Sequence, residues 1–229
     1  MVAGGFTHEH VRIAIVGAGR IGGNAARSWS RAGHDVLISF SRHPDQLAPR
    51  AAELGDHVSA TTPGHAVAEA DVVMLAVPWG AIAQALDEAG SLAGKVVIDA
   101  TNPFGTGPKP ADGQTVAQFN SARMRGARYV RAFNTLTSGF QAEASSRPND
   151  ERAVLFLCGD YPEAKRIVAQ LIEDAGFAGV DLGSTSDAGL MEAPRRPGSV
   201  YGEEYRLPEA RAVAEAVHHG HDIPPIPHY

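Results

Sequence analysis

Gly17-Ala18-Gly19-Arg20-Ile21-Gly22 is the first stretch whose residue types and spacing suit chemistry: it reads G-x-G-x-x-G. It follows the apolar run Val11–Val16 directly. It opens a stretch, Arg20–Ala32, in which Ile21, Ala25, Ala26 and Trp29 share a helical face and Gly33 stands where a helix ends. The pattern alone is weak; between a strand and a helix it becomes specific. In that setting the first glycine permits a tight turn, the second lets a pyrophosphate approach the backbone, and the third lets the helix pack closely on the strand. The amino end of the helix adds unpaired N–H groups and a partial positive charge. These residues are expected to hold the diphosphate of a dinucleotide rather than to form a merely tight turn.

The end of the second strand selects the dinucleotide. An NAD site places Asp or Glu there to accept from the ribose 2′-OH. This chain reads Phe40-Ser41-Arg42-His43-Pro44. Asp35 sits at the wrong end of the strand and reads as a turn residue. Arg42 can pair with a 2′-phosphate, Ser41 can donate to it, and His43 can assist, so NADP(H) is expected in place of NAD(H). The plainer alternative is a solvated arginine on a loop.

Other reactive types carry weaker signals. Cys158 lies in an apolar run and reads as inert core. His218, His219 and His221 do not have the spacing of a compact tetrahedral metal site, and no metal is expected. Arg195 and Arg196 offer a clamp for an anionic second substrate, with Tyr201 stacking on it; a solvated loop is the competing reading. No convincing acid–base pair or nucleophile stands out, and Tyr201, His43 and Asp99 are unsupported as proton donors.

The elements that position these residues alternate. Apolar strand-like runs occur at 11–16, 35–40, 57–60, 70–77, 95–100, 127–133, 153–157 and 179–182, with helices read at 20–32, 44–54, 162–175 and 208–218. Such alternation implies right-handed βαβ crossovers and a Rossmann-type, doubly wound, mostly parallel α/β sheet with a C-terminal βαβ extension. The tail after Met191 is rich in proline. Residues 1–192 are expected to form the dinucleotide-binding domain, and 193–229 a loop, a short helix and an extended tail.

Composition agrees. A 229-residue chain suffices for one large α/β domain with a small appendage. A net charge of −6 without a Lys/Arg run argues against nucleic-acid binding. A single cysteine excludes an internal disulfide and fits a reducing compartment. No apolar run approaches the ~20 residues needed to span a bilayer, and no signal pattern opens the chain, so a cytoplasmic protein without a membrane partner is expected.

Further motifs follow the strands: Val77-Pro78-Trp79, Asp99-Ala100-Thr101-Asn102-Pro103, Arg131-Ala132-Phe133-Asn134-Thr135-Leu136 and Cys158-Gly159-Asp160. With the glycine loop and Ser41-Arg42, they make the chain from about Val11 to Glu192 resemble the coenzyme F420-dependent NADP oxidoreductase family, which includes the cytoplasmic reductase domain of the six-transmembrane metalloreductases. The resemblance implies that Ala76, Val77 and Pro78 lie along the cofactor and that Asn102, Pro103, Phe133 and Asn134 stand near the nicotinamide. Trp79 or Phe133 is expected to wall an acceptor cleft, with core packing as the alternative for both. Two departures bear on the acceptor. The family's apolar helical region, which helps form its dimer and deazaflavin pocket, is replaced by a polar, proline-rich loop after Glu192, and Asn134 stands where F420 reducers carry histidine.

The function implied is hydride transfer between NADP(H) and F420, a flavin or a related small-molecule acceptor, by a possible homodimer. Reduction of a small carbonyl or imine is the alternative enzyme reading, and a non-catalytic NADP(H) sensor the alternative from another class.

Overall fold

The computed structural model describes residues 10–40 and 44–229. Along the chain run β1 (Arg12–Val16), α1 (Arg20–Arg31), β2 (Asp35–Ser39), α2 (Leu47–Leu54), β3 (Val58–Ala60), α3 (Pro63–Glu69), β4 (Val72–Leu75) and α4 (Ile82–Ala89). They are followed by β5 (Val96–Asp99), α5 (Val116–Arg123), β6 (Arg128–Arg131), α6 (Ser138–Ala144), β7 (Val154–Gly159), α7 (Pro162–Asp174), β8 (Ala178–Asp181) and α8 (Leu207–His218). Among the described residues the strands form one sheet in the order β3-β2-β1-β4-β5-β6-β7-β8. Every neighbouring pair is parallel except β6 and β7. This is the doubly wound, mostly parallel α/β sheet that the sequence implies, with β7–α7–β8 as its extension.

Strand alternation builds two cores, one on each face. Ala14, Val16, Val73, Leu75, Val97 and Tyr129 face one side, beneath Ala66 of α3, Ile82 of α4, Ala117 of α5 and Val213 of α8. Ile13, Ile15, Met74, Ile98 and Val130 face the other, beneath Ala26 and Trp29 of α1, Ala51 of α2 and Val168 of α7. Covering both faces explains why these strands read as continuous apolar runs. Trp29 is fully buried and its Nε1 donates to Leu171 O at 2.7 Å, which ties α1 to α7.

The strands β1 to β6 are shorter than the apolar runs that announced them. The run 70–77 yields only Val72–Leu75, because Ala76, Val77 and Pro78 leave the ladder as a turn. Residues 44–54 divide into a 3-10 turn, Pro44–Gln46, and α2. Four helices escaped the apolar-periodicity reading, α3 to α6, and three of them begin at a threonine cap: Thr62 for α3, Thr115 for α5 and Thr137 for α6.

The antiparallel joint has a local cause. The short α6 stays at the carboxyl edge of the sheet, where Asn24 of α1 donates to Ser138 O at 2.8 Å. The chain therefore enters β7 from that edge without crossing back, and Cys158 pairs with Arg131. The segment after Glu192 packs onto this extension. Tyr205 O accepts from Val154 N at 2.9 Å, and Val200, Tyr205, Ala210 and Val213 join the core. No helix among the described residues is long and apolar enough to cross a membrane.

Candidate functional site

The sheet order reverses between β1 and β4, which opens a crevice at their carboxyl ends. The glycine loop lies there, and its three glycines have three different surroundings. Gly17 has φ +112° and a Cβ there would lie 2.6 Å from Ala76 O, so both its turn and its contact with the end of β4 require glycine. Its N–H donates to Ser39 O at 2.9 Å, binding the loop to β2. A Cβ on Gly22 would overlap Gly17 O and meet Ile15 Cγ2 at 2.9 Å, so this glycine sets the approach of α1 to β1. Gly19 differs: a Cβ there meets nothing within 4 Å among the described residues. The second glycine thus faces open space at the helix N-terminus. α1 has no side-chain cap and no acidic residue in its first turn, and Gly19 itself is the N-cap. Open space, uncapped N–H groups and the helix dipole together suit a diphosphate. Ala18, Arg20 and Ile21 complete this turn and are exposed or half-buried.

Ser41, Arg42 and His43 lie outside the described residues. Phe40, just before them, has φ +57° and turns the chain at the end of β2. Phe133, at φ +63°, is the other non-glycine residue of positive φ among those described, and it too lies just past a strand's carboxyl end. Such backbone is unfavourable for a bulky L-residue, by about 1 kcal/mol or more. Asp35 lies at the amino end of β2, where His10 and His57 approach its carboxylate at 3.3 and 3.5 Å. It is far from the ribose position, as its place in the sequence implies.

The turns after β4, β5 and β6 converge as expected, but their aromatic side chains point inward. Trp79 is 2% exposed, stacks on Phe119 at 5.9 Å between centroids, and donates through Nε1 to Pro108 O at 2.8 Å. Phe133 is equally buried, edge-on to Trp29 at 5.6 Å. The core-packing alternative therefore describes both side chains, and the cleft wall expected of them must come from elsewhere. Apolar burial is the reason: each ring gains about 1.5–3 kcal/mol inside. Ala76, Val77 and Pro78 pass beside Gly17, with Val77 Cγ1 within 2.9 Å of where its Cβ would be.

Asn102 and Asn134 join the two neighbouring turns. Asn102 Nδ2 donates to Asn134 O at 2.9 Å, and its Oδ1 accepts from Arg131 Nη2 at 3.2 Å. Asn134 Nδ2 donates to Met191 O at 2.6 Å, while its buried Oδ1 has no partner among the described residues. A buried acceptor left in this state is unfavourable by about 1–3 kcal/mol and suits an incoming N–H donor, such as a carboxamide. With the open space at Gly19, it makes the residues present fit a nicotinamide dinucleotide.

Beneath these turns lies a buried polar network that the sequence reading did not foresee. Asp99 Oδ2 accepts from Tyr129 OH at 2.6 Å, Asn120 Nδ2 at 2.8 Å and Arg131 Nη1 at 3.2 Å; its Oδ1 accepts from Thr101 N and Oγ1 at 2.9 and 2.7 Å. Arg131 Nη2 also donates to Thr101 O at 2.8 Å, and its Nε lies 3.6 Å from Glu192 Oε1. Burial opposes the Arg131 charge, but the Asp99 carboxylate, with Tyr129 and Glu192, outweighs it and raises its pKa. Burial, then the Asp99 charge, holds the Tyr129 phenol well above its usual range, so it remains a donor. Glu192 extends the network to a helix: its two oxygens accept from Val116 N and Ala117 N, both at 2.9 Å, at the start of α5. The signal available was the strand alternation, which already placed Asp99 and Arg131 inside the sheet.

Other candidates resolve plainly. Asp99 is fully enclosed and serves the network. Arg195 pairs with Glu203, and Arg196 donates to the carbonyls of Gly189 and Glu192, so both arginines pin the C-terminal loop. Tyr201 is half-buried, with its phenol raised by burial and lowered in smaller part by Arg131; its neighbour Gly202 donates to Thr135 O at 2.9 Å. The fully buried Cys158 thiol is pushed far up by burial and is inert. No group of three metal-ligating side chains occurs among the described residues.

Comparison with known proteins agrees with this geometry. The sequence profile described as "NADP oxidoreductase coenzyme F420-dependent" matches residues 12–103, from β1 to Pro103. A hypothetical protein from Sinorhizobium meliloti is 32% identical, covers 88% of this chain and 98% of its own, and superposes with a TM-score of 0.74. A provisionally assigned F420-dependent NADP-reductase from Arthrobacter is 26% identical over 78% of this chain and 87% of its own, with a TM-score of 0.65. The metalloreductase STEAP3 of Rattus norvegicus is 28% identical over 81% of this chain but only 36% of its own length, so the chain spans about a third of that relative. Glycine loop, switch point and profile point the same way: over residues 12–103 the chain is similar to the F420-dependent NADP oxidoreductase family.

Proposed function

We propose that this protein is an NADP(H)-dependent oxidoreductase that exchanges a hydride with F420, a flavin or a related flat ring. The observation that carries this reading is the contrast within the glycine loop: Gly17 and Gly22 are locked by packing, whereas Gly19 faces open space at an uncapped helix N-terminus. The diphosphate would rest on Gly19 and the first turn of α1. Asn134 Oδ1 would accept from the carboxamide, and Arg42 with Ser41 would take the 2′-phosphate. NADPH held by these residues would supply a hydride for the acceptor ring, with the accompanying proton drawn from solvent. Little else is required of the chain, since such ring chemistry needs orientation and exclusion of water more than an acid–base pair.

A second reading, reduction of a small carbonyl or imine, draws on two observations. Tyr201 keeps its phenol protonated beside the end of β6. A reductive aminase from Aspergillus terreus, solved with NADPH and ethyl-5-oxohexanoate, is 25% identical over 78% of this chain and 57% of its own, with a TM-score of 0.58. An acceptor screen tests both readings. NADPH oxidation with F420, FMN or FAD supports the first. Oxidation only with cyclic imines or ketones, lost in Tyr201→Phe, supports the second. Tight NADPH binding without any turnover would leave a sensor.

A further inference from the structure

Phe104 is 59% exposed, among the few large apolar side chains left so open among the described residues. The others are Tyr161, at the start of α7, and Tyr229, which lies over Arg206. Phe104 stands instead on the loop that leaves the carboxyl end of β5. A phenyl ring kept in water there forfeits about 1.5–3 kcal/mol of burial.

The loop that carries it is fastened on both flanks. Trp79 Nε1 donates to Pro108 O at 2.8 Å, and Lys109 lies over the Trp79 ring while donating to the carbonyls of Pro103 and Gly105. A Cβ on Gly80 would lie 3.1 Å from Thr106 O, so the loop backbone rests directly on the turn after β4. On the other flank, Phe104 N donates to Asn102 O at 2.7 Å, and Asn102 is held by Asn134 O and Arg131. A tight turn keeps the Phe104 backbone within ~7 Å of Asn102, which on the functional reading above would stand at the nicotinamide end of the crevice. The loop is pinned between the ends of β4 and β6, yet its aromatic ring has no ring or cation partner among the described residues. Trp79 and Phe133, the rings on the turns after β4 and β6, are already committed to the interior.

We propose that Phe104 is the stacking platform of the acceptor site: one face of a flat tricyclic ring, isoalloxazine or its deaza counterpart, packs on the phenyl ring, leaving the other face for the nicotinamide. The assignment rests on the functional reading above and narrows it. Phenylalanine has neither a proton nor a hydrogen bond to give, so it favours extended π-surface over a small carbonyl or imine.

The test is a titration of FMN into the NADP⁺-saturated protein and into the protein alone, read by flavin fluorescence, for the native chain, Phe104→Ala and Phe104→Trp. NADPH affinity and melting temperature are measured alongside. Phe104→Ala is expected to bind FMN about tenfold more weakly, with NADPH affinity and melting temperature kept, and Phe104→Trp to restore binding. Unchanged FMN affinity in Phe104→Ala overturns the platform, even if the native protein oxidises NADPH with FMN. Absence of FMN binding by the native protein overturns it as well. FMN binding that depends on Phe104 without any NADPH oxidation supports the platform while removing the hydride-transfer reading, so the two fail separately.

Discussion

At the scale of single residues, the glycine loop makes the sharpest claims. Gly19 sits at φ −75° and ψ −157°, backbone open to any residue, and a Cβ there meets nothing within 4 Å among the described residues. Gly19→Val should therefore keep its melting temperature while calorimetric NADPH binding disappears, because the side chain fills the phosphate position. Gly17→Ala and Gly22→Ala should behave oppositely: each puts a methyl into backbone atoms and should destabilise the fold by roughly 1–3 kcal/mol or more. Equal melting temperatures for all three variants would contradict the packing. Arg42 is the residue we propose to carry the choice of cofactor. Arg42→Ala should weaken NADPH roughly 10- to 150-fold, the worth of one charge-assisted hydrogen bond, and leave NADH nearly unaffected. Titrations in which the native protein binds the two cofactors equally would exclude this role. The packing roles of Gly17 and Gly22 were legible in the sequence because spacing between strand and helix dictates them. The inward turn of Trp79 and Phe133 was not, since a strand-end aromatic can face either way until its neighbours are known.

At the scale of elements, the buried network holds the site's floor to α5. Glu192 accepts from two orphan N–H groups of that helix and stands 3.6 Å from Arg131. Glu192→Ala removes a cap and a charge partner together, and should lower stability by about 1–3 kcal/mol. Asp99→Ala should be harsher, about 3–5 kcal/mol, because it strands the fully buried Arg131 guanidinium. Denaturant unfolding measures both, and a loss below ~0.5 kcal/mol for Asp99→Ala would show that water replaces the carboxylate. Helix α5 itself was readable in principle: Thr115 and Gln118 form a capping box, T-x-x-Q. Its weak apolar periodicity concealed it.

At the scale of the whole molecule, the chain after Glu192 is part of the core. Val200, Tyr205, Ala210 and Val213 are each at most 1% exposed. Their burial is worth several kcal/mol at about 1.5–3 kcal/mol per side chain, comparable with the roughly 5–15 kcal/mol net stability of a domain. A chain ending at residue 192 is therefore expected to lack a cooperative thermal transition. Cys158 reports the same property. It is enclosed in β7, and burial suppresses its thiolate, so alkylation by iodoacetamide should be negligible in the native full-length chain and rapid in the truncated one. Prompt labelling of the native chain would place β7 in a locally opening unit.

The sequence by itself determined the alternation of strands and helices and the packing roles of Gly17 and Gly22. Those features follow from local periodicity and from φ/ψ limits, which act over a few neighbouring residues. Tertiary structure alone decided which groups at the carboxyl edge face a ligand. Asp99 and Arg131 found one another across β5 and β6, Glu192 reached α5 from the far end of the chain, and Trp79 and Phe133 turned inward. Phe104 was left outside on a loop pinned by Trp79 and Lys109. Partners so distant in sequence are chosen by the closure of the sheet and by competition for a limited buried volume, and no local pattern encodes that outcome.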